Sequence, residues 1–145
     1  IAKPHVMSWK PGAHGNTYGG NPLACAAANV TIGLLRAGLV ENASRQGSRL
    51  LQGLRGLQAK HPSIGEVRGR GLFIGVEFVR DRQTREPDAR LRDRMVSEAF
   101  HHGLLLLGCG RSVVRITPPL TVSDAECDEA LAILDHVIGL AEAAS

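Results

Sequence analysis

Aromatic residues are scarce in this chain: one Trp, one Tyr and three Phe account for 3% of its 145 residues. Binders of single-stranded nucleic acid usually supply stacking rings and gather positive charge on one face. Here the net charge is only +3, and the densest basic stretch, Arg80-Asp81-Arg82-Gln83-Thr84-Arg85-Glu86, interleaves both signs. It reads as a solvated loop, and no nucleic-acid partner is expected. Cysteine is equally sparse. Cys25, Cys109 and Cys127 are odd in number, widely spaced and lack a Cys-x-x-Cys pair. That argues against a disulfide framework and for reduced thiols in a cytoplasmic protein. The six histidines show no ligand spacing, and His101-His102 reads as a polar helix end, so no metal site is expected. No serine stands in a nucleophile-elbow context, and no cysteine has a histidine partner in sequence. Long apolar runs are missing too. None approaches the length of a membrane span, and the start lacks the basic-then-apolar layout of a signal peptide, so no membrane contact is expected.

What is present is a globular composition, 43% hydrophobic, of a size to form one domain or part of a larger one. Because the chain opens on Ile1 rather than methionine, it is read as a fragment. Pro4, Pro11 and Gly12 keep the first 13 residues from forming a long helix, and Trp9 is placed to anchor them against a neighbour. Asn21 is a good N-cap with Pro22 at the first helical position. Leu23, Ala27, Val30 and Leu34 then recur at helical spacing until Ala37-Gly38 interrupts. A second helix runs through Ala43, Gly47, Leu50, Leu54 and Leu57 and stops before His61-Pro62. Alternation of Leu72, Ile74, Val76 and Phe78 with Phe73, Gly75 and Glu77 predicts a strand, with Val67-Arg68 in another just before it. Leu91, Met95, Val96 and Ala99 suggest a helix ending near Gly103. Leu104–Leu107 and Val113–Ile116 read as two buried strands joined by Gly108-Cys109-Gly110. The last helix is the best marked: Ser123 and Glu126 form a capping box, and Ala130, Leu131, Leu134, Val137, Ile138 and Ala141 make its buried face. The order predicts a small α/β layer with a mixed or antiparallel sheet.

Three stretches carry chemistry. His14-Gly15-Asn16-Thr17-Tyr18-Gly19-Gly20-Asn21-Pro22 sets a hydroxyl and several glycine amides at a helix start, where unpaired N–H groups and the helix dipole favour an anion. Gly69-Arg70-Gly71 with Gly75 has the wrong spacing for a dinucleotide fingerprint and precedes a strand, so its role is backbone turning. Arg115 stands inside the apolar run Val113-Val114-Arg115-Ile116. It is either a structural ion pair or edge side chain, or a rigid guanidinium fork that grips a carboxylate.

Taken together, these stretches (14–24, 67–77, and Val113-Val114-Arg115-Ile116-Thr117-Pro118-Pro119-Leu120) resemble the C-terminal third of a class III aminotransferase. This family of pyridoxal-phosphate enzymes includes the 4-aminobutyrate, acetylornithine and ornithine aminotransferases. The resemblance covers nearly the whole chain, with all three blocks in the family's order. It implies an α/β fold, the C-terminal part of a fold-type I transferase with a small mixed or antiparallel sheet covered by helices. It further implies that residues 1–20 end the large cofactor domain, 21–61 are connecting helices and 62–145 form the small domain.

By the same resemblance, Thr17 binds the phosphate of the neighbouring subunit's pyridoxal 5'-phosphate in a cytoplasmic homodimer, and Arg115 binds the substrate carboxylate. The substrates implied are an amino acid, 4-aminobutyrate-like or ornithine-like, and a 2-oxo acid. None of Lys3, Lys10 and Lys60 stands in the context of the family's Schiff-base lysine, and the acid that pairs with the cofactor's pyridine nitrogen has no counterpart either. The chain therefore carries no catalytic residue and is expected to be inactive alone. An amino-acid racemase on the same scaffold and a non-catalytic stand-alone small domain remain the alternatives.

Overall fold

In the computed structural model, residues 3–10 and 12–144 are described; Ile1 and Pro11, both drawn on above, lie outside them. The chain separates into two compact units, Ile1–Ala37 and Gly38–Ser145.

In the first unit, Trp9 stacks on His14 with ring centroids 5.3 Å apart, so its partner is local. Helix α1 (Pro22–Leu34) starts as expected, with the Asn21 side chain accepting from the amides of Leu23 and Ala24. Its apolar positions are exposed within the unit, Leu23 at 80% and Val30 at 64%. Past α1 the backbone makes a π-type turn over Leu35–Leu39, and Gly38 breaks the helix at φ 131°. One sequence expectation needs correcting here. The helical run Pro22–Lys60 is, by length and composition, apolar enough to cross a membrane, with a mean hydropathy of 1.7 in its most apolar stretch. The apolar residues there are broken up by Asn29 and Arg36. They form no continuous run, yet their average is high. The π-type turn ends α1 after 13 residues, Pro22–Leu34, about 20 Å long and shorter than the ~30 Å hydrocarbon core.

The second unit is built on an antiparallel sheet. Its strands are β1 (Ile64–Arg70), β2 (Phe73–Asp81), the short β3 (Glu86–Pro87), β4 (Leu107–Cys109) and β5 (Val113–Ile116). The path is β1-β2-β5-β4, with β3 paired to β2, and every pairing is antiparallel. Helices α2 (Val40–Lys60), α3 (Ala89–His101) and α4 (Asp124–Ala143) complete the layer. Alternation along the strands decides the two faces. Ile74, Val76, Phe78, Val114 and Ile116 are buried with Leu54 of α2, Met95 of α3 and Leu134 and Ile138 of α4. Phe73 and Arg115, at the alternate positions, are exposed.

The glycine block is a turn, as its spacing predicts. Gly71, at φ +54°, opens a two-residue hairpin loop between Arg70 and Phe73, a loop position that favours glycine. Its neighbourhood imposes a second demand: a Cβ on Gly47 of α2 would lie 2.2 Å from the Gly71 carbonyl oxygen, so helix and hairpin meet backbone to backbone. The strand expected over Leu104–Leu107 lies further on, at Leu107–Cys109. Pairing with β5 sets this register, Leu107 opposite Arg115 and Cys109 opposite Val113, and Gly110 at φ +55° makes the turn. Apolarity alone marked the run as buried, whereas the ladder starts only where β5 offers partners.

Candidate functional site

The Thr17 turn is organised by asparagine side chains. Asn16 Oδ1 accepts from the amides of Tyr18 (2.7 Å) and Gly19 (3.0 Å), and Asn21 Oδ1 from those of Leu23 (3.0 Å) and Ala24 (3.2 Å). This corrects the sequence reading of open first-turn amides, because the caps already satisfy them. What stays available is smaller and sharper. Among the described residues neither the Thr17 hydroxyl nor the amides of Thr17 and Gly20 make a hydrogen bond. Thr17 and Gly20 are exposed, and Gly20 sits at φ +78° with nothing within 4 Å of a Cβ position. The hydroxyl and the two free amides can each donate to an acceptor oxygen, which fits one side of a phosphate.

Arg115 belongs to the other unit. Its neighbours on β5, Val114 and Ile116, are 0% and 7% exposed, and the pleat turns Arg115 to the opposite face. Of the two readings open from sequence, the ion pair is absent: among the described residues Arg115 has neither a salt bridge nor a hydrogen bond. Two other arginines of the sheet are engaged, Arg68 with Glu66 at 3.1 Å and Glu77 at 3.5 Å, and Arg80 with Glu86 at 2.9 Å. Arg115 instead borders a cleft of about 490 Å³ with Leu104, Leu107, Pro118, Pro119 and Cys127. The cleft is mostly hydrocarbon with one guanidinium, the composition of a site for a carboxylate on an apolar body.

The remaining titratable groups at this cleft are structural. Glu126 is the capping-box carboxylate, held below its ordinary value by the Ser123 amide and then by the Ser123 hydroxyl. Burial pushes the Cys127 thiol up, the opposite of what a nucleophile needs. Outside the cleft lining, Asp124 is held low chiefly by the hydrogen bond from Gln46. No His/Cys/Asp/Glu group among the described residues has the arrangement of a metal site.

One cluster had no signal in the sequence. His61, 4% exposed, sets Nδ1 2.8 Å from Glu142 and Nε2 2.7 Å from Asp135. Ser63 donates to Glu142 from its hydroxyl, and Lys60 Nζ lies 2.6 Å from Asp135. Arg82 donates to the carbonyls of Gln58, His61 and Ile64. The partners come from α2 and α4, more than 70 residues apart, so local spacing could not reveal them. Lys60 is the exposed cation at the rim of this clasp.

The sequence model of the family described as "Aminotransferase class-III" matches residues 1–138. The chain is 38% identical over 139 residues to an acetylornithine aminotransferase of Caldanaerobacter subterraneus, covering 95% of this chain and 33% of that protein. It is 45% identical over 139 residues to a 4-aminobutyrate aminotransferase of Mycobacterium bovis, covering 93% and 29%. A solved aminotransferase from Bacillus anthracis superposes with a TM-score of 0.81 at 32% identity, covering 88% of this chain and 30% of the other. The chain thus spans about a third of the length of the curated relatives it matches.

Proposed function

The chain belongs to the class III aminotransferases, and from that premise we propose that it is the C-terminal third of an enzyme moving an amino group from an amino acid to a 2-oxo acid. The enzymes of this family use pyridoxal phosphate. The observation that carries the reading is Arg115, an exposed guanidinium, unpaired among the described residues, on a strand beside an apolar cleft.

In the proposed reaction Arg115 takes the substrate's carboxylate in two parallel hydrogen bonds and so orients the amino or oxo carbon at the other end of the molecule. The hydrocarbon walls of the cleft keep water from competing for that pair. Thr17, through its hydroxyl and amide, holds a phosphate oxygen of the cofactor in the neighbouring subunit of a homodimer. When bound, pyridoxal phosphate supplies the carbonyl that takes up the amino group and the ring that stabilises charge at the substrate carbon. The domain division follows the same reading: 1–20 close the large domain, 21–61 connect, and 62–145 form the small domain. The amino donor is 4-aminobutyrate-like or ornithine-like, and the enzyme is cytoplasmic.

The chain's three lysines are Lys3, Lys10 and Lys60, and Lys60 is held by Asp135. The lysine that bonds the cofactor is therefore assigned to the rest of the enzyme, and the 145-residue chain alone is inactive. The test is steady-state transamination by the full-length protein and its Arg115→Gln variant. A bidentate charged pair contributes about 1.5–3 kcal/mol, so the variant's KM for the 2-oxo acid rises about tenfold to a hundredfold. Cofactor-dependent turnover by the isolated chain, or an unchanged KM in the variant, overturns the reading. Racemisation of a single-enantiomer amino acid without an oxo acid replaces it with the racemase alternative.

A further inference from the structure

The chain that follows Arg115 is hard to hold by its own backbone. Strand β5 ends at Ile116, and Thr117-Pro118-Pro119-Leu120-Thr121-Val122 leads from it to the Ser123 cap of α4. Pro118 and Pro119 have no N–H to give. Within the segment the Val122 amide donates to the Pro119 carbonyl at 3.0 Å, which closes a turn. Thr117, Pro118, Pro119, Thr121 and Val122 nevertheless form the wall of the cleft that runs on from Arg115. A wall so short of donors keeps one position when another element grips it.

The grip comes from α2. Asn42, half-buried, donates one amide hydrogen to the Leu120 carbonyl at 2.8 Å and the other to the Val122 carbonyl at 3.0 Å. A primary amide has two hydrogens, so both are used on this turn. Arg45 donates to Asn42 Oδ1 at 2.9 Å, which fixes the end of the amide that faces the carbonyls. Positions three, four and seven apart share a helix face, and the grip continues along it. Gln46 donates to Asp124 at 2.5 Å and Arg49 to Asp128 at 2.6 Å, on the first turns of α4. Exposed ion pairs such as Arg49–Asp128 contribute little. The Asn42 amide differs, because it staples both sides of Thr121 to a helix 78 and 80 residues away in sequence.

We propose that Asn42 is a positioning residue for the substrate cleft: by holding the carbonyls of Leu120 and Val122 it fixes the wall that continues from Arg115, and so the space in which the substrate's aliphatic body lies. The inference rests on the aminotransferase reading and deepens it. Asn42 is not among the residues lining the cleft, so it acts through the turn it holds.

The test is made on the full-length enzyme, with Asn42 replaced by Asp or Ala. Asn42→Asp keeps the shape but sets a carboxylate oxygen against the carbonyls and gives them no hydrogen. Steady-state kinetics with the amino donor and the 2-oxo acid each varied, well below the lowest thermal midpoint, separate KM from kcat. Inhibition by pentanoate reads occupancy of the cleft without turnover. Both KM values and the pentanoate inhibition constant are expected to rise about fivefold or more, the factor that one lost hydrogen bond represents, with a misplaced wall adding to it. The fall in kcat is smaller. Asp135→Asn/Glu142→Gln is the control: it loosens the His61 clasp, lowers the thermal midpoint and leaves KM unchanged. The proposal falls if the Asn42 variants lower the midpoint with KM and the inhibition constant at wild-type values, if their effect is confined to kcat, or if the control raises KM as much as they do. Should Asn42→Asp not fold, Asn42→Ala, which brings in no charge, decides the question alone. Arg115→Gln keeps the two readings apart. If it raises KM while the Asn42 variants do not, the role of Asn42 fails and the aminotransferase reading stands; if the wild type does not transaminate, both fall.

Discussion

Three glycines on one helix give opposite answers to the same substitution. Gly47, Gly53 and Gly56 all lie in α2, where Gly→Ala by itself favours the helix by about 1 kcal/mol. What each new methyl meets differs. At Gly56 nothing lies within 4 Å, so Gly56→Ala keeps the intrinsic gain and stabilises by about 0.5–1 kcal/mol. At Gly53 the methyl would lie 2.3 Å from Leu131 Cδ1, the end of a side chain that can change rotamer. Displacing it costs about 0.5–1.5 kcal/mol, so the net effect is near zero. At Gly47 the obstacle is backbone, with the Gly71 carbonyl oxygen at 2.2 Å and its carbon at 2.3 Å. Neither can rotate away, so α2 and the β1–β2 hairpin must separate by about 1 Å. An overpacking penalty of about 1–3 kcal/mol, enlarged here because both sides are backbone, outweighs the helix gain. Gly47→Ala is thus expected to destabilise by about 1–2 kcal/mol. Urea unfolding followed by far-UV circular dichroism measures all three midpoints. If Gly47→Ala shifts the midpoint upward as Gly56→Ala does, the backbone contact is not what holds the hairpin, and the reasoning fails.

The clasp at His61 predicts an acid dependence. Asp135 is held below the ordinary carboxylate value by hydrogen bonds from Lys60 and His61. For Glu142 burial pulls upward, but the hydrogen bonds from Ser63 and His61 outweigh it and the net shift is downward. A carboxylate lowered in the folded state contributes stability that is present above its unfolded value, about 4, and is lost as pH falls through the folded one. The stability gap between wild type and Asp135→Asn/Glu142→Gln therefore closes as the pH is lowered below about 4, and urea midpoints from pH 7 to pH 3 trace it. Ser123→Ala removes the α4 cap and costs about 1 kcal/mol in the same assay.

Local rules located most of the second unit. The capping box at Ser123, the alternation over 72–78 and the stop before His61-Pro62 depend on neighbours within a few residues, and the structure has α4, β2 and the end of α2 where those rules put them. The start of β4 was misplaced, because a run of four leucines has no feature that says which of them meets β5. The Thr17 turn was half legible. Its glycines and helix start were visible, but not that Asn16 and Asn21 would take up the amides first.

The amino-acid sequence alone determined the helices, the strands that alternate, the family, and the two positions from which a function is proposed, Thr17 and Arg115. Each is a matter of residue type at short range, where capping, periodicity and turn geometry act within one or two turns of chain. Only the tertiary structure decided what surrounds those positions. Strand pairing placed Leu107 and Gly75 beside Arg115, which has no ion pair among the described residues, while Arg68, two strands away, is neutralised by Glu66 and Glu77. Whether an arginine is structural or available depends on the charges that chain folding brings within a few ångströms of it, and its neighbours in sequence do not fix those.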